Sequence, residues 1–414
     1  MSSAQAQPCR TDSVEPASRS NATGERFERL RPEAALGLWR DACLPLNFSY
    51  AECHACERAC PVAALRVEGN ALCLSDACIG CGRCAAACPT GALAVAGCTV
   101  PATVPADNSG IYVDCWKVPR ADSPPAAVRV PCLGGLAVSQ WLALALAADG
   151  RPVIALDRGW CAGCCAGGIG PHPAQGPLTE AATLLADAGV RRSALPALHT
   201  RRLPIARMPR TIPSADDERA VSRRDFFGRL AREATAAVAQ AQEKKPAAQA
   251  TRPTLRPGAL RAPERERRLD MLTRLAKRAR GELPARLFAT LAASDRCRNH
   301  RVCVALCPTA ALRGYDNAGD AGIALDPLAC IACGACERGC PEQALRLLPH
   351  TGSGMPPETT RLTHHRLREC AACGRPFTAS GELCAPCRKS QALVQGVFAS
   401  LFSGGQDRDR DARA

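Results

Sequence analysis

The sequence predicts an α+β multidomain protein: two cysteine-dense modules flank a small α/β domain and a basic helical linker, and a paired-cysteine ribbon follows near the C-terminus. Three observations predict it. Cysteine is too frequent for ordinary buried thiols, at 27 of 414 residues. Two cysteine-dense blocks, 53–88 and 297–340, repeat one another. Between them, apolar runs follow in strand–helix–strand order: Val128–Cys132, an Ala/Leu stretch over 138–148, then Pro152–Leu156.

The boundaries follow from these shifts. Residues 1–42 read as a disordered tail with a short helix around Arg26–Trp39, and 43–100 as the first module. The α/β domain takes 110–198, the linker 199–286, the second module 287–350, the ribbon 364–392 and a charged tail 393–414. The net charge is +14, and residues 201–286 hold 22 Lys and Arg against 10 Asp and Glu, which is +12 of it. Two Ala-rich helical pieces are expected there, Arg229–Gln242 and Glu264–Arg280, around a Pro-rich break at Pro246–Pro263. A solvated basic linker accounts for the charge. A nucleic-acid surface would need aromatic stacking platforms, and aromatics make up 4% of the chain.

Disulfide scaffolds are small, secreted and led by a signal peptide. The first forty residues are polar (Gln5, Arg10, Asp12, Glu15, Arg19), and no run approaches the roughly 20 apolar residues of a membrane span. The thiols are therefore expected to be reduced and metal-bound, in a soluble, cytoplasmic protein.

The spacing says which metal. Cys78-Ile-Gly-Cys81-Gly-Arg-Cys84-Ala-Ala-Ala-Cys88-Pro89 and Cys330-Ile-Ala-Cys333-Gly-Ala-Cys336-Glu-Arg-Gly-Cys340-Pro341 are both C-x2-C-x2-C-x3-C-P. Three thiolates on a tight loop reach three irons of one cubane, and the fourth points to a second cluster. Each complete run is preceded by an incomplete one. The first, Cys53-His-Ala-Cys56-Glu-Arg-Ala-Cys60-Pro61, has Tyr50 where its leading cysteine would fall. The second, Cys297-Arg-Asn-His300-Arg-Val-Cys303-Val-Ala-Leu-Cys307-Pro308, has His300 in the second cysteine slot.

Both modules resemble bacterial two-cluster ferredoxins, down to the ends Cys88-Pro-Thr-Gly-Ala-Leu93 and Cys307-Pro-Thr-Ala-Ala-Leu312. In that family the last cysteine of each run serves the other cluster. The resemblance implies one 4Fe–4S cluster on Cys60, Cys78, Cys81 and Cys84, and another on Cys307, Cys330, Cys333 and Cys336. The neighbouring sites are left with three thiolates each: Cys53, Cys56 and Cys88, and Cys297, Cys303 and Cys340. They are 3Fe–4S sites, or cubanes completed by another ligand (His300 in one; Cys43, Cys73 or Cys98 in the other), or empty.

In the middle domain, Cys115-Trp116, Cys132-Leu-Gly-Gly135 and Trp160-Cys161-Ala-Gly-Cys164-Cys165-Ala-Gly-Gly168 resemble the delta subunit of methyl-viologen-reducing hydrogenases. That resemblance implies a 2Fe–2S cluster on Cys115, Cys132, Cys161 and either Cys164 or Cys165; zinc or thiol redox chemistry are the other readings. Near the C-terminus, Cys370-Ala-Ala-Cys373 and Cys384-Ala-Pro-Cys387 form two knuckles that converge on one tetrahedral S4 site. This resembles a zinc ribbon and implies Zn2+, with a rubredoxin-like single iron as the other reading. Ser222-Arg-Arg-Asp-Phe-Phe227 resembles a twin-arginine export motif but lies inside the chain. It reads as a helix start capped by Ser222, as a relic of gene fusion, or as a segment for a chaperone that reads such signals.

No Ser-His-Asp set, HExxH or phosphate-binding loop is present, and histidine is rare at 7 residues. The expected function is an electron-transfer protein, a polyferredoxin serving a partner oxidoreductase such as a molybdopterin enzyme or a hydrogenase. A maturation factor and an iron–sulfur regulator are the rivals.

Overall fold

The computed structural model describes residues 35–98, 100, 110–168, 170–209, 259–317, 319–348, 358–378 and 381–402. The tail before residue 35, the Ser222–Phe227 motif, the expected helix at Arg229–Gln242 and everything after residue 402 lie outside these.

In the first module β1 (Leu36–Leu38) pairs antiparallel with β4 (Leu93–Val95). Strands β2 (Leu65–Glu68) and β3 (Ala71–Leu74) form a tight hairpin whose turn contains Gly69 at φ +54°. Three short helices, α1 (Leu44–Asn47), α2 (Ala55–Ala59) and α3 (Arg83–Ala86), lie among the cysteines. The helix expected to run through Trp39 is strand at 36–38, because Leu36 and Leu38 close over the apolar interior of this small module.

The middle domain is a parallel sheet in the order β6-β5-β7-β8, from β5 (Ile111–Cys115), β6 (Val128–Val130), β7 (Val153–Asp157) and β8 (Ala197–Thr200). In β7 the consecutive residues Val153, Ile154, Ala155 and Leu156 are all buried, the two-faced apolar pattern of a covered parallel sheet. Helices α4 (Val138–Ala148) and α5 (Gln175–Asp187) pack with it.

The helix expected at Glu264–Arg280 forms, but it packs on the sheet domain and is not a solvated linker. This helix, α6 (Pro263–Ala279), starts on a proline, carries Glu264 and Glu266 in its first turn and ends at Arg280 in the left-handed region. Its arginines mask a narrow apolar stripe. Leu272 and Leu275 join Trp141, Leu142 and Leu185 in the core of the sheet domain. Glu264 is buried and accepts bonds from Ser139 N (3.1 Å) and Ser139 Oγ (2.7 Å) at the start of α4. Arg268 and Arg267 balance its charge, with N–O separations of 2.9 and 3.2 Å.

The second module repeats the first: β9 (Thr290–Ala293) pairs with β12 (Leu345–Leu348), and β10 (Leu312–Asn317) with β11 (Asp320–Leu325). Short helices α7 (Val302–Ala305) and α8 (Ala335–Arg338) match α2 and α3. Strands β13 (Thr360–Arg361) and β14 (His365–Arg366) extend this sheet from β11. A hairpin of β15 (Arg368–Glu369) and β16 (Pro376–Phe377) then leads to α9 (Ala385–Phe402). This last helix takes in residues 393–402, which the sequence assigns to a tail. No described helix is long and apolar enough to cross a membrane.

Candidate metal centres

In the first module, Cys78, Cys81 and Cys84 sit on the loop into α3, and Cys60 arrives from the end of α2. All four line one pocket. The loop can turn its thiols inward because Gly80 (φ +69°) and Gly82 (φ +83°) take left-handed backbone. In the second module, Ala332 (φ +54°) and Gly334 (φ +72°) do the same for Cys330, Cys333 and Cys336, and Cys307 joins them from the end of α7. The last cysteine of each incomplete run thus lies with the other run's loop.

The cysteine before each Cys-Pro proline receives a backbone hydrogen bond on its sulfur. The donors are Ala64 N to Cys60 (3.2 Å), Ala92 N to Cys88 (3.3 Å), Leu312 N to Cys307 (3.4 Å) and Ala344 N to Cys340 (3.3 Å). Such donors favour thiolate over thiol. Burial works the other way, with crowding by neighbouring thiols second. It pushes Cys81 and Cys330 up to about 11, and Cys56 and Cys336 up to about 12. Thiols so buried keep their protons at neutral pH unless a cation displaces them, which is what metal ligation does.

The two short sites differ. In the first module the structure gathers Cys43 with Cys53, Cys56 and Cys88. Cys43 caps α1, in a turn held by Asn47 Nδ2 donating to Arg40 O (2.7 Å) and Cys43 O (2.8 Å). Burial first, then Cys88 and Cys53, push it up to about 11. Of the other two candidates, Cys73 is disulfide-bonded and Cys98 lies beside Cys81, at the other site. In the second module Cys297, His300, Cys303 and Cys340 line one pocket. His300 Nε2 is 3.1 Å from Glu342 Oε1.

The middle-domain cysteines gather where open parallel sheets place their ligands, beyond the carboxyl ends of the strands. Cys115 ends β5, Cys132 follows β6, and Cys161 and Cys164 follow β7. Cys164 lies near Cys115, Cys132 and Cys161, and both Cys164 and Cys165 pack against the cluster that holds Cys132 and Cys81, so the two choices stay open. The adjacent Cys165 thiol lowers the Cys164 pKa. A buried Asp114–Arg158 pair at 2.7 Å backs this site, and Asp114 Oδ1 also accepts the Cys115 N–H at 3.0 Å.

In the ribbon the sulfurs of Cys370, Cys373, Cys384 and Cys387 all lie within 4.8 Å of one another. Among the described residues the other group this tight is Asp157, Cys161 and His172. The ferredoxin-type groups are wider, so one ion cannot bridge their thiols while a multi-iron cluster can.

Sequence reasoning missed two arginines. Arg83 donates to Ala166 O (3.2 Å) and Gly167 O (2.8 Å), tying the first module to the middle domain's cysteine loop. Arg265 on α6 lies near Cys330; burial lowers its pKa to about 10, and the Cys330 sulfur acts in the opposite direction. Arg265 donates to Pro327 O (3.1 Å) and Leu328 O (3.3 Å). No local signal marks Arg265, since it lies far from Cys330 in sequence.

A sequence profile of the 4Fe-4S binding domain matches residues 75–94 and 323–346. The chain carries two such domains. These segments hold the two complete cysteine runs, and they indicate an iron–sulfur electron-transfer protein. Comparison with curated proteins found no match.

Proposed function

We propose that the chain is an electron relay whose cysteine sites form one row, passing single electrons between a donor and a partner oxidoreductase of the hydrogenase or molybdopterin class. Bound on these cysteines, each iron–sulfur cluster supplies one-electron chemistry. The protein's part is to hold the sites close, keep water out and set their electrostatics.

The observation that carries this reading is the contact between successive sites. Cys132 of the middle domain lies against Cys81. Backbones meet there: a side chain on Gly135 would come 2.4 Å from Cys81 O. Cys84 neighbours Cys56 within the first module, and Cys336 neighbours Cys303 within the second. The modules themselves join at an apolar junction in which Leu44, Ala51, Leu260 and Ala262 pack with Cys53 and Cys333. The segment leading into α6 clips this junction. Leu260 N donates to Pro308 O (2.7 Å), next to Cys307, and Glu264 N donates to Thr90 O (3.1 Å), two residues after Cys88. The row therefore runs from the middle domain through both sites of the first module into both sites of the second.

In the same reading, Cys43, Cys53, Cys56 and Cys88 hold a fourth-thiolate cubane. The middle site on Cys115, Cys132, Cys161 and either Cys164 or Cys165 takes a 2Fe–2S cluster, and the ribbon takes zinc as a closed structural S4 site. Anaerobic iron and sulfide quantitation with EPR tests the whole. Fewer than about eight irons per chain would sink it, since two cubanes alone need that many.

A further inference from the structure

The short site of the second module keeps the backbone of a cluster loop although a histidine stands in its ligand slot. In Cys78–Cys84 the residues on either side of the second cysteine, Gly80 and Gly82, are left-handed. In Cys330–Cys336 the corresponding pair is Ala332 and Gly334. In Cys297–Cys303 the residues flanking His300 are Asn299 (φ +55°) and Arg301 (φ +60°), the same pair of positions. Neither is glycine, so each works against a steric penalty. Arg301 is anchored there by Asp316, at 2.8 Å, and by Tyr315 O, at 3.1 Å. A histidine in an ordinary surface loop needs none of this. The first module shows the alternative: where Tyr50 replaced the cysteine, residues 50–56 contain no left-handed residue.

The ring nitrogens are also sorted. Nε2 faces Glu342 Oε1 at 3.1 Å, which leaves Nδ1 as the remaining nitrogen of a residue that lines the cavity with Cys297, Cys303 and Cys340. Metal-bound histidines characteristically donate their other N–H to a carboxylate, which fixes the tautomer.

We propose that His300 is the fourth ligand of the cluster held by Cys297, Cys303 and Cys340, bound through Nδ1 while Nε2–H donates to Glu342. This rests on the electron-relay reading and adds a property to it. A neutral imidazole in place of a thiolate leaves the site one negative charge lighter, so its cluster is easier to reduce than its all-cysteine neighbours. The row then ends on an electron-accepting site.

The test is pulsed EPR of the full-length, anaerobically purified protein for nitrogen hyperfine coupling, together with redox titration. The wild type is expected to show a strongly coupled nitrogen on one cluster. His300→Cys should abolish it, keep the iron count and move that cluster's potential negative. His300→Ala should convert the site to a 3Fe–4S signal, and Glu342→Gln should shift the potential while keeping the nitrogen coupling. Absence of a coupled nitrogen in wild type that carries its full iron complement overturns the ligand alone. So does a potential unmoved in His300→Cys. Iron below two cubanes per chain instead removes the relay reading, and the ligand with it.

Discussion

Each ferredoxin-like module lacks one cysteine in the same half, and in the assignments proposed above the two make up the loss in opposite ways. The first abandons the loop: the run from Tyr50 to Cys56 has no left-handed residues, and Cys43 comes in from an upstream turn. The second keeps the loop, with strained Asn299 and Arg301 around His300. What a cluster site conserves physically is a set of donors around a cavity, and either the backbone path or the donor type can be given up to keep it. The partners explain the choice. The first module's short site is packed at the junction beside Cys333, where a thiolate from a buried turn can reach it. The second module's short site opens at the far end of the row, where His300 stays half exposed.

The largest way to break the comparison is to remove each repair. Cys43→Ala should delete one cubane's spin from the fully reduced EPR integral, while Cys98→Ala leaves the integral unchanged. If both variants retain the wild-type spin count, Cys43 is not the first module's repair. Next is the junction that places the two short sites differently. Leu260 is fully enclosed there, so Leu260→Ala should cost about 2–4 kcal/mol in denaturant unfolding and weaken the magnetic interaction between modules. A variant with wild-type stability and an unchanged spectrum would remove the junction from the path.

Much of this was legible in the sequence, and for identifiable reasons. Cys78–Cys88 and Cys330–Cys340 declare their sites because ligands on one short loop fix each other's positions by spacing alone. The strand–helix–strand order of the middle domain was legible for a similar reason, since hydrophobic period is local. Cys43 stood among three candidates because only the chain's return past α1 distinguishes it. Cys164 and Cys165 are adjacent and both pack against the cluster with Cys132, so spacing alone does not separate them. The packing of α6 was hidden by its arginines: the stripe containing Leu272 and Leu275 is narrow, and a charge count reads the exposed face. Arg265 beside Cys330 could not be read at all, since it depends on how α6 docks.

Smaller effects sharpen the cost of keeping the loop. Asp316 is exposed and its pKa is lowered by its hydrogen bond to Arg301. A carboxylate with a depressed folded-state pKa stabilises above its unfolded pKa, and that contribution is lost as pH falls through the lower folded value. Because the pair is largely solvated, Asp316→Asn should cost only a few tenths of a kcal/mol at neutral pH, and the difference from wild type should vanish in acid. Thermal melts at both pH values would show it, and a difference that grows on acidification would assign Arg301's anchoring elsewhere.

The smallest expected effect is also the most direct measure of strain. Asn tolerates left-handed backbone better than most residues, but glycine adopts it without a Cβ penalty. At Asn299 (φ +55°) the Asn→Gly substitution should therefore raise stability slightly, by at most about 1 kcal/mol, offset in part by glycine's greater freedom in the unfolded chain. The same change at Glu52, in the first module's abandoned loop, meets no left-handed backbone and should destabilise slightly. Opposite signs at these two positions would show that the second module alone holds its short run in the cluster-binding conformation. Equal signs would mean that the loop around His300 carries no strain to relieve.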